Sequence, residues 1–250
     1  MSPRDWDAST YERISDPQVQ MAVRVLDRLS LRGDETVLDA GCGTGRVTLL
    51  LLERLPRGRV IAVDAAPSMV EAAREALGER ATVVHSDLTE LELDETVDAA
   101  FSNAVFHWVL DHERLFERLH AVLRPGAPLA AQCGGEGNID AFHALADEVA
   151  AESPFDEHFD GWVGPWNFAS PDATSERLAT AGFADVRTWL EDWPVVPPEP
   201  REYIRTVCLG CHLERLPPEL RDAYVDEVAA RAGPRLELHY VRLNISARRA

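Results

Sequence analysis

The chain contains no lysine; all 25 of its basic residues are arginines. That absence excludes Schiff-base chemistry, a pyridoxal phosphate anchor and the lysine of a P-loop. Cysteine is scarce as well. Cys42, Cys133, Cys208 and Cys211 are too few and too irregularly spaced to staple 250 residues. No apolar run approaches the roughly 18–20 residues that span a bilayer, so no membrane is expected as a partner. The opening Met-Ser-Pro-Arg-Asp-Trp-Asp lacks an apolar h-region, so export is not expected and a reducing cytoplasm is. Basic residues are also few in total: 43 acids outweigh them, giving a net charge of −18. Such a surface repels phosphate backbones, which argues against a nucleic-acid substrate. No obligate protein partner is evident.

What is present is a strand–helix rhythm. Asp16 and Pro17 can open a helix with Val19, Ala22, Val25, Leu26 and Leu29 in phase. Thr36–Ala40 reads as a buried strand, followed by a glycine loop and a helix over about Thr44–Leu55. Arg59–Val63, Thr82–His85, Val97–Ser102 and Pro128–Cys133 read as further strands, with helices starting at Pro67 and after Asp111. The alternation predicts βαβ units and a parallel sheet covered on both faces. Residues 134–170 break the rhythm with glycines, acids and aromatics and read as a lid without regular structure. A helix over about Ser175–Ala181, a strand at Val186–Leu190, a proline-rich connector at Pro194–Pro200, two helices and a last strand, Leu236–Ile245, complete the chain. The reading is one domain over 1–250, with lid insertions at about 134–176 and 194–234.

The strongest local signal is Leu38-Asp39-Ala40-Gly41-Cys42-Gly43-Thr44-Gly45, between a strand and a helix, where ligands sit in such sheets. By itself it fits a plain tight turn. A dinucleotide fingerprint would need a glycine where Arg46 stands. Asp39 would repel a pyrophosphate but attract an ammonium or sulfonium. Asp64 ends the second strand, where a carboxylate accepts both hydroxyls of a ribose. Asp87 ends the third, placed for an exocyclic amine. Any one of these acids is explained as a helix cap. Three on adjacent strand ends describe a cationic nucleoside, and S-adenosylmethionine is the obvious one.

At this point the chain resembles the class I S-adenosylmethionine-dependent methyltransferases. VLDAGCGTG, VIAVDAAPSM and HSDL stand in that order, and the resemblance covers about residues 30–135. It is most similar to the trans-aconitate methyltransferase-like branch, on Trp6-Asp7-Ala8 with Tyr11, on Asn103-Ala104-Val105-Phe106-His107-Trp108, and on the closing strand. The resemblance implies a Rossmann-like, mostly parallel seven-stranded sheet with the last strand antiparallel. It also implies roles. Gly41, Gly43 and Gly45 would cradle the methionine part, and Asp39 would hold its amino group directly or through water. Asp64 would take the ribose, Met69 would pack on adenine, Asp87 and the Leu88 amide would read the adenine edge, and the backbone near Asn103 would face the methionine tail.

The acceptor is less legible. His107 is the candidate catalytic residue, as a base for a hydroxyl, nitrogen or carbon nucleophile or as an anchor for a carboxylate. A histidine there is equally well satisfied by a backbone carbonyl. Trp6, Tyr11, Trp108, Trp162 and Trp166 are candidate substrate contacts, with Phe159 and Phe168 assigned to the lid's own core. The expected reaction is O-methylation of a small carboxylic acid. Residues 134–176 contain no arginine, which weighs against a heavily charged acid; Arg201 and Arg205 are possible contributors. A remote alternative is an NAD(P)-dependent oxidoreductase. Cys208-Leu-Gly-Cys211-His212 matches a haem attachment pattern, but Tyr203, Val207 and Cys211 recur as the inner face of a helix would. No metal site is expected.

Overall fold

The structure, a computed structural model, describes residues 16–250. Trp6 and Tyr11 lie outside the described residues. In chain order the main elements are α1 (Asp16–Leu26), β1 (Thr36–Ala40), α2 (Arg46–Glu53), β2 (Arg59–Asp64), α3 (Pro67–Leu77), β3 (Ala81–His85), β4 (Ala99–Asn103), α4 (His112–Val122), β5 (Pro128–Gly134), α5 (Asp140–Ala150), α6 (Pro171–Thr180), β6 (Phe183–Val195), α7 (Pro200–Tyr203), α8 (Gly210–Arg215), α9 (Pro218–Ala232) and β7 (Leu238–Arg249). The seven strands form one sheet in the order β3-β2-β1-β4-β5-β7-β6. The pairs β1–β2, β1–β4, β2–β3 and β4–β5 are parallel, and β7 runs antiparallel to β5. The order reverses direction beside β1, the switch point at which open α/β sheets bind ligands beyond the carboxyl ends of their strands.

The chain divides into two compact units. The first gathers the chain up to Glu136 with Asn167–Glu191 and Arg242–Ala250; the second holds Gly137–Trp166 and Asp192–Val241. In the first, β1 is buried along its whole length. Alternate residues of the sheet feed two cores. Leu38, Ile61, Ala100 and Leu129 meet Leu115, Phe116 and Leu119 of α4. Val37, Val60, Ala99 and Ala130 meet Val25 and Leu26 of α1, Leu51 of α2 and Leu77 of α3. Each buried valine, leucine, isoleucine or phenylalanine among them contributes about 1.5–3 kcal/mol on burial, so both faces must stay covered. Asp111 caps α4 by accepting from the Arg114 N–H at 2.8 Å. Ser170 caps α6 by accepting from the Ala173 N–H at 3.3 Å, with Pro171 in the first turn, so α6 begins four residues before the expected Ser175.

The second unit corrects two expectations. Residues 134–170 are not without regular structure: Asp140–Ala150 forms α5, whose Phe142, Ala146 and Val149 are buried. The period was present in the sequence but masked by the flanking glycines. Tyr203, Val207 and Cys211 do not share one helix face either. Ile204–Cys208 is a π-helical turn, which shifts the register between α7 and α8 and buries Ile204, Cys208 and Cys211 together. Two strands also extend further than expected. β6 starts at Phe183, and β7 continues to Arg249, because Arg242–Arg248 pair residue by residue with Gly134–Pro128.

Candidate active site

The glycine loop fills the gap between β1 and α2, and each glycine answers a different demand. Gly41 has φ +86°, and a Cβ there would lie 2.2 Å from Val105 Cγ2. Gly43 has φ +55° and open space on its side-chain face, so a ligand can lie directly on the backbone. Gly45, φ +85°, starts α2 without a side-chain cap. The Asp64 carboxylate ties this loop to the end of β2. It accepts from the Gly43 N–H at 2.8 Å and the Ala66 N–H at 2.9 Å, leaving further lone pairs for a ligand's hydroxyls.

Asp39 is 1% exposed and accepts from the Thr48 hydroxyl at 2.7 Å. Burial pushes its carboxyl up to about 7; the Thr48 bond opposes this and the Asp64 charge adds to it. The Cys42 thiol is held high by burial and by the charges of Asp39 and Asp64. This end of the sheet therefore carries negative potential, which fits a cationic ligand and not a pyrophosphate. Met69 and Leu88 are buried nearby in sequence order, on α3 and on the short turn after β3. Asp87 is engaged as a cap. Its Oδ1 accepts from both the Thr89 N–H and the Thr89 hydroxyl at 2.8 Å, leaving Oδ2 for another donor.

Beyond β4 the chain turns sharply. Ala104 takes φ +62°, a left-handed conformation that a side chain adopts only when its surroundings enforce it. Its N–H donates to the Gln132 carbonyl at 2.7 Å. The 3-10 turn Phe106–Trp108 follows, held by His112, whose Nε2 bonds the Phe106 carbonyl at 2.9 Å. His107 is 8% exposed. Its ring lies 5.0 Å from Trp108 and stacks on Phe168 at 5.8 Å, so Phe168 belongs here and not to a core of the lid. The Gly134 N–H donates to His107 Nδ1 at 3.2 Å, which leaves the proton of the neutral ring on Nε2. Burial, then the Arg242 charge, then His112 hold the imidazole well below its ordinary range, so it is neutral at pH 7. Asn167 closes this corner by donating from its N–H to the His107 carbonyl at 2.9 Å and from Nδ2 to the Leu110 carbonyl at 3.0 Å.

Sequence reasoning missed Arg242. It sits on β7 opposite Gly134, is 3% exposed, and its guanidinium bears electrostatically on both His107 and Cys133. The signal was available: Arg242, Asn244 and Ser246 alternate with Leu243, Ile245 and Ala247, which marks one polar face on an otherwise apolar strand. Arg201 and Arg205, by contrast, are paired with acids of α9. Arg201 Nε donates to Asp226 at 2.7 Å and Arg205 pairs with Asp222.

In the second unit, Trp162 and Trp166 face each other at 5.6 Å and both contact His212, which also stacks on Tyr224 at 5.9 Å. Trp162 therefore packs with Phe159, 5.5 Å away, in the same aromatic cluster. His212 is held low, at about 3, by burial and then by His143. Among the described residues no group of three or more His, Cys, Asp or Glu is arranged to hold a metal, and no helix is long and apolar enough to cross a membrane.

An acid-lined glycine loop at the switch point of this seven-stranded sheet is the arrangement of a methyl-transferring nucleoside-binding fold. Known proteins agree. A family described as a methyltransferase domain matches residues 37–126. The trans-aconitate 2-methyltransferase of Variovorax paradoxus is 30% identical, over 91% of this chain and 88% of that protein. The one of Methylobacterium radiotolerans is also 30% identical, over 98% and 99%. Phosphoethanolamine N-methyltransferase 2 of Haemonchus contortus, solved with S-adenosyl-L-methionine, has the same fold. Its TM-score is 0.63 at 19% identity, covering 97% of this chain and 56% of that one. The chain belongs to the class I S-adenosylmethionine-dependent methyltransferases, in the trans-aconitate methyltransferase-like branch. It is an enzyme with S-adenosylmethionine as cofactor, and the oxidoreductase alternative falls.

Proposed function

We propose that this methyltransferase methylates a carboxylate oxygen of a small organic acid in the cytoplasm. The observation that carries the reading is the protonation pattern at His107. With Nδ1 accepting from Gly134, the ring offers an Nε2–H donor and no base. That suits a nucleophile that arrives already as an anion and needs no proton removed. The names of the relatives, which are trans-aconitate 2-methyltransferases, point the same way. The four cysteines are buried free thiols, in keeping with a reducing compartment.

Bound S-adenosylmethionine supplies an electrophilic methyl group on a sulfonium. In this reading Gly41, Gly43 and Gly45 cradle its methionine part, Asp64 takes the ribose hydroxyls, and Met69, Leu88 and Asp87 hold the adenine. Asp39 attracts its ammonium, and the backbone at Asn103 borders the same tail. His107 and Trp108 orient the acid and exclude water, because an in-line displacement depends on alignment and a dry site.

The test is a scan with deuterium-methyl S-adenosylmethionine and a pool of mono-, di- and tricarboxylic acids that includes trans-aconitate. A labelled product cleaved by hydroxylamine is the expected result. A labelled phenol, amine or carbon product would overturn the carboxylate reading.

The carboxyl of Asp39 provides a pH prediction. Below about pH 7 the free protein carries Asp39 protonated, and a cation bound beside it favours the ionised form. Cofactor binding should then release protons, and affinity should fall by up to about tenfold per pH unit below 7 and level off above it. Calorimetry at pH 6.5 in buffers of different ionisation enthalpy would measure the release, and Asp39→Asn should abolish it. A flat affinity with no proton release would remove Asp39 from the cofactor site.

A further inference from the structure

The second unit encloses one imidazole in aromatic rings. His212, on α8, is 1% exposed. The rings of Phe159, Trp162, Trp166 and Tyr224 lie 5.9, 4.7, 5.7 and 5.9 Å from it. Among the described residues neither Nδ1 nor Nε2 of His212 has a hydrogen-bond partner. The Tyr224 hydroxyl does not serve it, because it donates to the Ala146 carbonyl at 2.8 Å. An indole face accepts an N–H only weakly and offers nothing to the lone pair of the ring. A phenylalanine would fill this place with no unmet donor or acceptor, so the fold alone gains nothing from a histidine.

The surroundings are uneven. Tyr224 is fully buried, whereas Phe159, Trp162 and Trp166 are half-buried, so the side of His212 toward solvent is the one these three cover. Trp162 and Trp166 stand outside helices and strands. Gly164, φ +75°, lets Trp166 fold back on its own loop, since a Cβ there would lie 2.1 Å from Trp166 Cζ3. His143 of α5 stacks on the same indole at 4.7 Å. The loop is shaped to hold the two indoles over His212.

The chemistry selects a class of ligand. Ring faces carry negative charge density and repel an anion. Burial holds both His212 and His143 neutral, and an ammonium placed among the same rings would meet the same desolvation cost. A neutral imidazole offers one donor and one acceptor, and a hydroxyl satisfies either nitrogen.

We propose that His212 is a ligand-binding residue, and that the second unit takes an uncharged hydroxylated aromatic ring, its hydroxyl on His212 and its faces against Trp162 and Trp166. This site stands whether or not the enzyme methylates a carboxylate.

The test titrates the S-adenosylhomocysteine complex with p-cresol, toluene, benzoate and benzylammonium, read by the side-chain nitrogen resonances of His212 and by calorimetry. In the wild-type protein p-cresol should bind about tenfold tighter than toluene, the scale of one hydrogen bond to a buried group, and tighter than either charged probe. His212→Phe should erase the step between p-cresol and toluene, keep S-adenosylhomocysteine affinity within about twofold, and melt no lower than wild type. His212→Gln, which keeps a donor and an acceptor, should retain part of the step. Equal affinity for p-cresol and toluene in the wild-type protein, or a step that survives His212→Phe, would overturn the proposal. Tighter binding of benzoate or benzylammonium than of p-cresol would overturn the uncharged class. Turnover of 4-hydroxycinnamate and cinnamate separates two sources of the ring. A lower KM for the hydroxylated acid that His212→Phe removes assigns the ring to the methyl acceptor; p-cresol binding with no such difference assigns it to a separate ligand of the same site.

Discussion

Gly41→Ala is expected to cost about 2–4 kcal/mol of folding stability and to abolish measurable cofactor binding. Gly43→Ala is expected to cost only about 1 kcal/mol and still lose cofactor affinity by tenfold or more. The two positions share a left-handed backbone, φ +86° and +55°, so the conformational penalty of an alanine is similar at both. What differs is the neighbour. A Cβ on Gly41 would meet Val105 Cγ2, Cγ1 and Cβ at 2.2, 2.5 and 2.8 Å. Val105 is stiff at χ1 and sits between the strained Ala104 and the turn carrying His107, so it cannot retreat without moving that turn. A Cβ on Gly43 meets nothing within 4 Å and would project where the ligand is expected to lie. For a chain of this size the Gly41 variant should melt about 5–15 °C lower. Adding Val105→Ala to Gly41→Ala should recover much of the stability. Thermal melting and calorimetric titration with S-adenosylhomocysteine check both. A Gly43→Ala protein that binds the cofactor as tightly as wild type would disprove the cradle.

Asp64→Ala is expected to weaken cofactor affinity by about 1–3 kcal/mol, or about 5- to 150-fold. The carboxylate holds the Gly43 and Ala66 N–H groups and has lone pairs left for two ribose hydroxyls. Its removal deletes the ligand's acceptor and frees the loop at once. Burial raises the Asp64 carboxyl, with the three backbone N–H groups of Ala66, Gly43 and Ala65 opposing this. Part of the loss therefore comes from the loop, and Asp64→Asn separates the contributions. It retains one oxygen that can accept an N–H but turns an NH₂ toward other donors, so its affinity should lie between alanine and wild type. Unchanged affinity in the alanine variant would move the ribose elsewhere.

Much of this was legible in the chain before any coordinates. The strands β1, β2, β3 and β5 fell within one or two residues of their expected ends, because buried parallel strands are short apolar runs bounded by glycine, proline and acids. The ligand loop was legible for a related reason: glycines at positive φ and acids at strand ends are local requirements, written where they act. The capping of Asp87 shows the limit of that logic. The same carboxylate serves as a cap and retains a free oxygen, and local sequence cannot separate the two uses.

The sequence by itself determined the fold class and the cofactor, because the strand–helix alternation and the glycine loop depend on residues within a few positions of one another. The tertiary structure decided the surroundings of His107. Whether His107 is a base or a donor depends on the Gly134 N–H, 27 residues away, and Arg242 reaches the same corner only because β7 returns antiparallel to β5. The π turn before α8 was likewise set by packing within the second unit rather than by local period. Polar side chains in a buried site take their protonation and direction from partners that the chain brings together late, and nothing in the spacing of residues records those partners.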